Sequence, residues 1–408
     1  MTLKLSRKPS KNDVVVDYKI RPNKISLEEA SRLITGEFPA DFVPRPRTPE
    51  KLKPVISSID KKNHGVRIAY PNELFENENV SQILSLIAGR VFGLRALKSI
   101  RIEDVSFPLK LLKSFRGPKF GIDGIRKISK IKDRPLLATV LKPRFGLSSE
   151  IYTRETYASW LGGCDIVKDD ESLATTKTNN FDERLKKILI AKDKAEKETM
   201  QKKLYIPNIS AETVEMTRRA EKVKALGGEF VMVDISSVGW SAFHTIRKMD
   251  PDIIMHGQMS NISLFTRNPE HGVSARVLAK IARLVGADMV HINSAFGSVQ
   301  ESPAEIRDAE RELEYVAVKG KGHILEQKWF GIKKSMPYVS GGIQPVHIPK
   351  LVKLLGKNIV ISLSSGIHRH PDGTIAGAIA SRQAIEAVMK GIDLHKYAKT
   401  MPELKRVV

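Results

Sequence analysis

Apolar and polar positions change their period once along the chain. Up to about residue 130 two patterns alternate. DVVVDYKI (13–20) and GVRIAYP (65–71) are short runs rich in β-branched residues, as strands are, whereas SLEEASRLITGEF (26–38) and NVSQILSLIAGRVFG (79–93) space apolar residues as helices do. This predicts an α+β domain over 1–130, in which the proline-rich, basic stretch RPRTPEKLKP (45–54) is a loop.

Beyond Pro135 the pattern becomes short apolar runs separated by helical segments: LLATVLKP (136–143), CDIVKDD (164–170), KLYIPNIS (203–210), EFVMVDIS (229–236), DIIMHG (252–257), DMVHINS (288–294), YVSGG (338–342) and NIVISLSSG (358–366). Eight strands, each followed by room for a helix, predict a parallel (β/α)8 TIM barrel over 131–408. Eight is the closing number, and no GxGxxG follows the first strand to suggest an open dinucleotide-binding sheet. In such barrels the chemistry sits at the C-terminal strand ends. Polar residues gather there: Lys142, Lys168, Asp170, Glu171, Asn208, Asp234, His256, His291 and Asn293, then Ser340 to Gly342 and Ser364 to Gly366.

Composition narrows the classes. With 408 residues, 41% hydrophobic and 28% charged, the chain is globular. The net charge of +22 admits nucleic acid, a membrane surface or an anionic substrate as partner. The cations are spread along the chain and interleaved with acids, as in AKDKAEKETMQKK (191–203), so they read as solvated surface and no nucleic-acid partner is expected. A lone cysteine, Cys164, excludes an internal disulfide and a cysteine-rich zinc module. The opening MTLKLSRKPSKNDVV has no apolar core of signal-peptide length, and no run of about 18 apolar residues occurs. The expected location is cytoplasmic, without membrane contact.

KDDE (168–171) closes the second barrel strand. Alternation sends Lys168 and Asp170 the same way, and the turn can bring Glu171 to the same point. Paired carboxylates suit Mg²⁺, and the same residues would also serve as an ordinary charged loop. A lysine beside them fits a metal only if it neutralises them or becomes an anion. Ser340–Gly342 and Ser364–Gly366 are candidate phosphate turns, or tight turns that need glycine. His256 and His291, on neighbouring strands, could donate to a substrate oxygen or shuttle a proton, or be structural. His368 and His370 form an HxH with no Cys, Asp or Glu triad for zinc.

KPRFGLSSE (142–150) and GGCDIVKDDE (162–171) resemble the large subunit of ribulose bisphosphate carboxylase/oxygenase, whose family carries KPKxGL at its first barrel strand and GGxDFxKDDE at its second. The likeness continues through RIAYPNELFENENVSQILSLIAGRVFG, FRGPKFGI, HGVSARVLAKIARLVGAD, VSGGIQPVHIPKLV and HPDGTIAGAIASRQAIEA, and covers most of residues 15–393. It implies a ferredoxin-like N-terminal α+β domain, the (β/α)8 barrel and a helical C-terminal end. It further implies that Lys168 takes up CO2 as a carbamate and binds Mg²⁺ with Asp170 and Glu171, and that Lys142 handles protons during enolisation. His291, Ser340, Gly341 and Gly342 then match substrate and phosphate contacts, His256 matches the histidine after the fifth strand, and Ser364 and Ser365 stand where the family has glycines, in the same phosphate-binding turn. A homodimer, or an assembly of dimers, follows from the same resemblance.

The departures from the family set the expected activity. Ser298 stands for the lysine of the loop after the sixth strand. Gly257 stands for an arginine that grips the second phosphate, and Ser260 for a histidine. Arg144 replaces the second lysine of KPK, and Arg90 replaces an asparagine that completes a neighbouring subunit's site; Glu37 is a loose match to an N-terminal glutamate. With the metal residues kept and the carboxylation groups lost, the expectation is a RuBisCO-like protein (form IV type). It would be an Mg²⁺-dependent enolase or isomerase acting on a phosphorylated ketone, such as 2,3-diketo-5-methylthiopentyl 1-phosphate, with no carboxylation of ribulose 1,5-bisphosphate. The alternatives are a ribulose-bisphosphate carboxylase, or a decarboxylase of a phosphorylated keto sugar acid.

Overall fold

The computed structural model describes residues 8–36, 48–249, 251–299 and 301–408. The N-terminal sheet is built from β1 (Val14–Pro22), β2 (Val55–Asp60), β3 (Gly65–Tyr70) and β4 (Leu97–Ser106), in the order β4-β1-β3-β2 and antiparallel throughout. On β1 the alternate residues Val14, Val16, Tyr18 and Ile20 are fully buried, one face of the strand being given to the core. Helix Leu27–Ile34 links β1 to β2. It starts on a capping box in which the Ser26 hydroxyl accepts from the Glu29 amide while the Glu29 side chain takes the Ser26 amide. A second helical passage links β3 to β4: α-helix Val80–Leu84, a π turn Ser85–Gly89 and a 3-10 turn Arg90–Gly93. This is the ferredoxin-like topology.

The barrel strands are β5 (Leu136–Val140), β6 (Ile166–Lys168), β7 (Leu204–Ile206), β8 (Phe230–Asp234) and β9 (Ile254–Gln258), then β11 (Met289–His291), β14 (Met336–Val339) and β15 (Val360–Ser362). Between them fall the two-residue strands β10 (Gly272–Val273), β12 (Ala317–Val318) and β13 (Gln327–Lys328). The eight are parallel in the order β7-β6-β5-β15-β14-β11-β9-β8. The bridge Asn208↔Met232, with the Ile209 amide donating to the Met232 carbonyl at 3.0 Å, joins the two ends. Each predicted run overlaps one of these strands, though β9 extends one residue past its run to Gln258 and β14 begins two residues before its run, at Met336. Both faces are buried, which is why the runs read as almost continuously apolar. Ala138, Ile166, Ile206, Met232, Ile254 and Tyr338 fill the inside, with Ile122 and Ile125 of helix Gly121–Ser129 plugging the floor. Leu137, Val167, Tyr205, Val231 and Ile361 face the helices.

Two devices dock the N-terminal sheet onto the barrel. β10, a piece of the loop after β9, pairs in parallel with β4, Gly272 opposite Arg101 and Val273 opposite Ile102. Beside it lies a fully buried ionic cluster: Lys280 Nζ is 2.6 Å from Asp104 Oδ1 and 3.5 Å from Glu312 Oε1, and Arg276 is 2.8 Å from Glu312. The helix expected over 79–93 keeps α geometry only to Leu84, because Gly89 and Gly93 weaken the rest. Of the predicted proline-rich loop, residues 45–47 lie outside the described residues, and Glu50–Leu52 forms one 3-10 turn.

Candidate active site

β6 ends in a lysine whose side chain, on the same face as Ile166, is buried inside the barrel. Lys168 is 2% exposed; its ammonium donates to the Asp169 carbonyl and to the Met232 sulfur, each at 3.0 Å, and lies 5.9 Å above the Tyr338 ring. Glu171 Oε2 is 3.6 Å away. Burial pulls the Lys168 pKa down against the pull of Glu171, Asp170 and Asp169, which eases loss of its proton.

Asp170 points to the same side. Its Oδ2 takes Lys142 Nζ at 3.1 Å, and its Oδ1 takes the Ser172 hydroxyl at 2.5 Å. Asn208, just past β7, donates its amide to the carbonyls of Asp170 and Glu171 at 3.3 and 3.0 Å and so pins the turn. Asp169, between the two site residues, points the other way, as strand alternation requires. It is fully buried in the helix layer. Oδ1 accepts the hydroxyls of Tyr152 and Tyr205 at 3.0 and 2.7 Å, and Oδ2 accepts Arg184 and the Asn208 amide at 3.2 and 3.1 Å. Reading KDDE only as candidate ligands missed this anchor, although the alternation that paired Lys168 with Asp170 already turned Asp169 outward.

His291 Nδ1 donates to the Met259 carbonyl at 3.2 Å, which leaves Nε2 to accept from the Ser340 hydroxyl at 2.9 Å. Burial lowers its pKa to about 4. His256 lies deeper, its ring 4.7 Å from that of Tyr338 and its Nε2 3.0 Å from Gln258 Oε1; burial, then the Lys168 charge, keep it neutral. Asp234 is held by the hydroxyls of Ser236, Ser237 and Ser260 at 2.7, 2.6 and 2.5 Å.

The two serine/glycine turns stand side by side: a Cβ on Gly366 would lie 2.5 Å from the Ile343 carbonyl, just past Ser340–Gly342. The loop after β11 closes onto the first turn, its Val299 amide donating to the Gly341 carbonyl at 3.0 Å. Gly342 (φ +75°) has no room for a side chain, since a Cβ there would sit 1.9 Å from Ser298 Oγ. Ser364 and Ser365 open the one-turn helix Ser365–His368.

Other predicted residues lie apart. Arg144 is exposed, its guanidinium 5.3 Å over the Phe145 ring on the loop after β5. Arg90 is exposed on the N-terminal domain, and Glu37 lies outside the described residues. His368 bonds Thr139 and Thr374, whereas His370 bonds the Glu403 carbonyl and the Asp372 amide, so the HxH does not converge. A Cβ on Gly257 would meet Ile235 Cδ1 at 2.6 Å and Ala287 Cβ at 3.2 Å, so residue 257 faces the outer layer, and His256 and Gln258 are what this strand turns inward. Ser260 serves Asp234.

Among the described residues, no three His, Cys, Asp or Glu side chains are placed to hold a metal ion. Asp170 and Glu171 would therefore need a third ligand, and a carbamate on the buried Lys168 would supply an oxygen near the place of its ammonium. The donor set fits Mg²⁺.

The family model of the ribulose bisphosphate carboxylase large chain catalytic domain matches residues 121–408, and that of its N-terminal domain matches residues 3–111. The ribulose bisphosphate carboxylase of Methanosarcina mazei is 40% identical over 97% of this chain and 95% of its own length, and that of Methanocaldococcus jannaschii is 38% identical over 100% and 98%. The dimeric archaeal Rubisco from Hyperthermus butylicus superposes with a TM-score of 0.90 at 39% identity, covering 98% of this chain and 96% of its own. The octameric enzyme from Pyrococcus horikoshii gives 0.88 at 36%, covering 100% and 97%. The chain belongs to the ribulose bisphosphate carboxylase large-chain family, whose cofactors are Mg²⁺ and a lysine carbamate.

These relatives overturn the expectation of an enolase or isomerase that does not carboxylate. Proteins matching nearly the whole chain at 38–40% identity carry the carboxylase name.

Proposed function

We propose that this chain is a Mg²⁺-dependent carboxylase that adds CO2 to ribulose 1,5-bisphosphate, working as a homodimer or an assembly of dimers. The observation that carries the reading is the 40% identity to the Methanosarcina mazei carboxylase over 97% of the chain. In this reading Lys168, once it has lost its ammonium proton, would form an N–C bond to CO2 and release a second proton, and the resulting carbamate would join Asp170 and Glu171 as ligands. Bound Mg²⁺ supplies a Lewis acid for the substrate ketone. Lys142, its ammonium paired with Asp170, holds or returns a proton at the reacting carbons. His291, fixed as one tautomer by Met259, and the buried neutral His256 line the mouth without adding charge. The turns Ser340–Gly342 and Ser364–Ser365 present backbone N–H groups to phosphate, and Arg144 and Arg90 contribute cations, Arg90 from a neighbouring copy.

The test is incorporation of labelled bicarbonate into acid-stable product with ribulose 1,5-bisphosphate. Incorporation that requires Mg²⁺ and disappears in Lys168→Met is expected. No label above the Lys168→Met background at saturating CO2 and Mg²⁺ would refute the reading.

A further inference from the structure

The floor of the barrel, at the end away from Lys168, is ringed by cations that the sequence scatters. Helix Gly121–Ser129 commits Ile122 and Ile125 to the barrel interior and leaves Lys127 in solvent. Three depressions of about 500, 620 and 400 Å³ lie along this floor. They form one trough, because Lys127 lines both the first and the second, and Lys130 and Lys132 line both the second and the third. Lys333 and Lys334 stand at one end and Lys390 at the other.

What sets this face apart in a basic molecule is that lysines without ion pairs among the described residues adjoin one another along one track, whereas Lys186, Lys197 and Lys224, also without an ion pair there, stand separately on exposed outer helices. On helix Phe181–Thr199, Lys187 binds Glu150 and Glu183, and Lys192 lies 3.5 Å from Glu196 and 3.6 Å from Glu229. In the trough, Lys127, Lys130, Lys132 and Lys334 have no carboxylate within ion-pair distance among the described residues. Asp123, Asp133 and Glu386 are the acids of the lining, too few to balance it.

We propose that this trough binds the phosphate backbone of nucleic acid without reading its sequence. A connected row of unpaired ammonium groups in a concave track suits successive phosphates, and lysines are point charges with no fork to select a base edge. A bilayer is a poorer match, because the apolar side of the helix is already consumed inside the barrel and has nothing to insert. The net charge of +22 adds long-range attraction. The proposal is independent of the reaction catalysed at the opposite end.

Fluorescence anisotropy of a labelled random-sequence duplex tests it on the intact protein. If about four phosphates are neutralised, affinity should fall roughly a hundredfold between 50 and 200 mM salt. The triple variant Lys127→Glu/Lys130→Glu/Lys132→Glu should bind at least about tenfold more weakly. Lys186→Glu/Lys197→Glu/Lys224→Glu, with the same change in net charge on exposed outer helices, should stay within about threefold of the parent. The milder triple Lys→Gln at 127, 130 and 132 serves if the reversal fails to fold. No binding at 50 mM salt, or equal loss in trough and control variants, would overturn the proposal. So would trough-dependent binding of phosphatidylserine vesicles without binding of duplex.

Discussion

Asp169 shows how much of this site depends on a residue that never reaches it. Its carboxylate is shared by two tyrosine hydroxyls, a guanidinium and the amide that follows β7, so the segment carrying Lys168 and Asp170 is clamped from behind. Replacing Asp169 with Asn leaves Arg184, 1% exposed, as a buried cation without its counter-charge. The expected cost is about 3–5 kcal/mol, the range for breaking a buried ion pair from one side. The urea midpoint should fall accordingly, and Mn²⁺ affinity measured by electron paramagnetic resonance should weaken even where the variant stays folded. A variant with unchanged midpoint and affinity would show that the clamp is dispensable.

His368 sets a pH dependence. Burial holds its pKa at about 4, against an ordinary value of 6.5. Above pH 6.5 it is neutral folded or unfolded, and no stability is at stake. Between 6.5 and about 4 the unfolded chain takes up a proton that the native chain refuses, so stability falls with decreasing pH by up to about 1.4 kcal/mol per unit. His368→Gln should flatten that part of the stability profile. An unchanged slope in denaturant titrations across the window would exclude the assignment.

Among the elements, the turn after β14 and the loop after β11 interlock through Gly341, Gly342 and Ser298. Gly342→Ala puts a methyl onto Ser298 and asks alanine to adopt φ +75°, so the loop must lift. The Michaelis constant for a phosphorylated substrate should rise more than turnover falls, because a binding turn is distorted. In a double-mutant cycle, Ser298→Gly should recover part of the loss, since it removes the nearest clashing atom. Additive effects would place the two elements apart.

The barrel strands were legible because doubly buried parallel strands leave short apolar runs with little ambiguity, and the strand-end polar residues followed from them. β2 escaped notice because VISSID is half polar and carries a register shift between Ile56 and Ser58. The outward turn of Gly257 was hidden for a different reason. Likeness to a family motif assigns a residue to a position without saying which way the strand turns it, and only the contacts with Ile235 and Ala287 reveal the direction.

For the whole molecule, the joint between sheet and barrel is electrostatic at its centre. Asp104, Lys280 and Glu312 are all fully buried, and the Asp104 carboxylate also holds the Leu325 amide at 2.8 Å. Lys280→Met would remove the cation nearest Asp104 and leave Arg276, 2.8 Å from Glu312 but 3.9 Å from Asp104, as the remaining counter-charge, at a cost of about 3–5 kcal/mol. Unfolding followed separately by probes in the two domains should then split into two transitions where the parent shows one. A single transition at the parental midpoint would mean that the cluster does not hold the domains together.

The strand β10 bears on where this chain can be cut. It is supplied by the barrel, yet it covers the outer edge of β4. An N-terminal domain produced alone would present the row of amides and carbonyls that Gly272 and Val273 now satisfy, along a strand of ten residues. Such an edge is a template for another copy, so the excised domain should form strand-paired aggregates that the intact chain avoids. The barrel thus guards its neighbour against self-association, and during synthesis that guard arrives about 170 residues after the edge it protects.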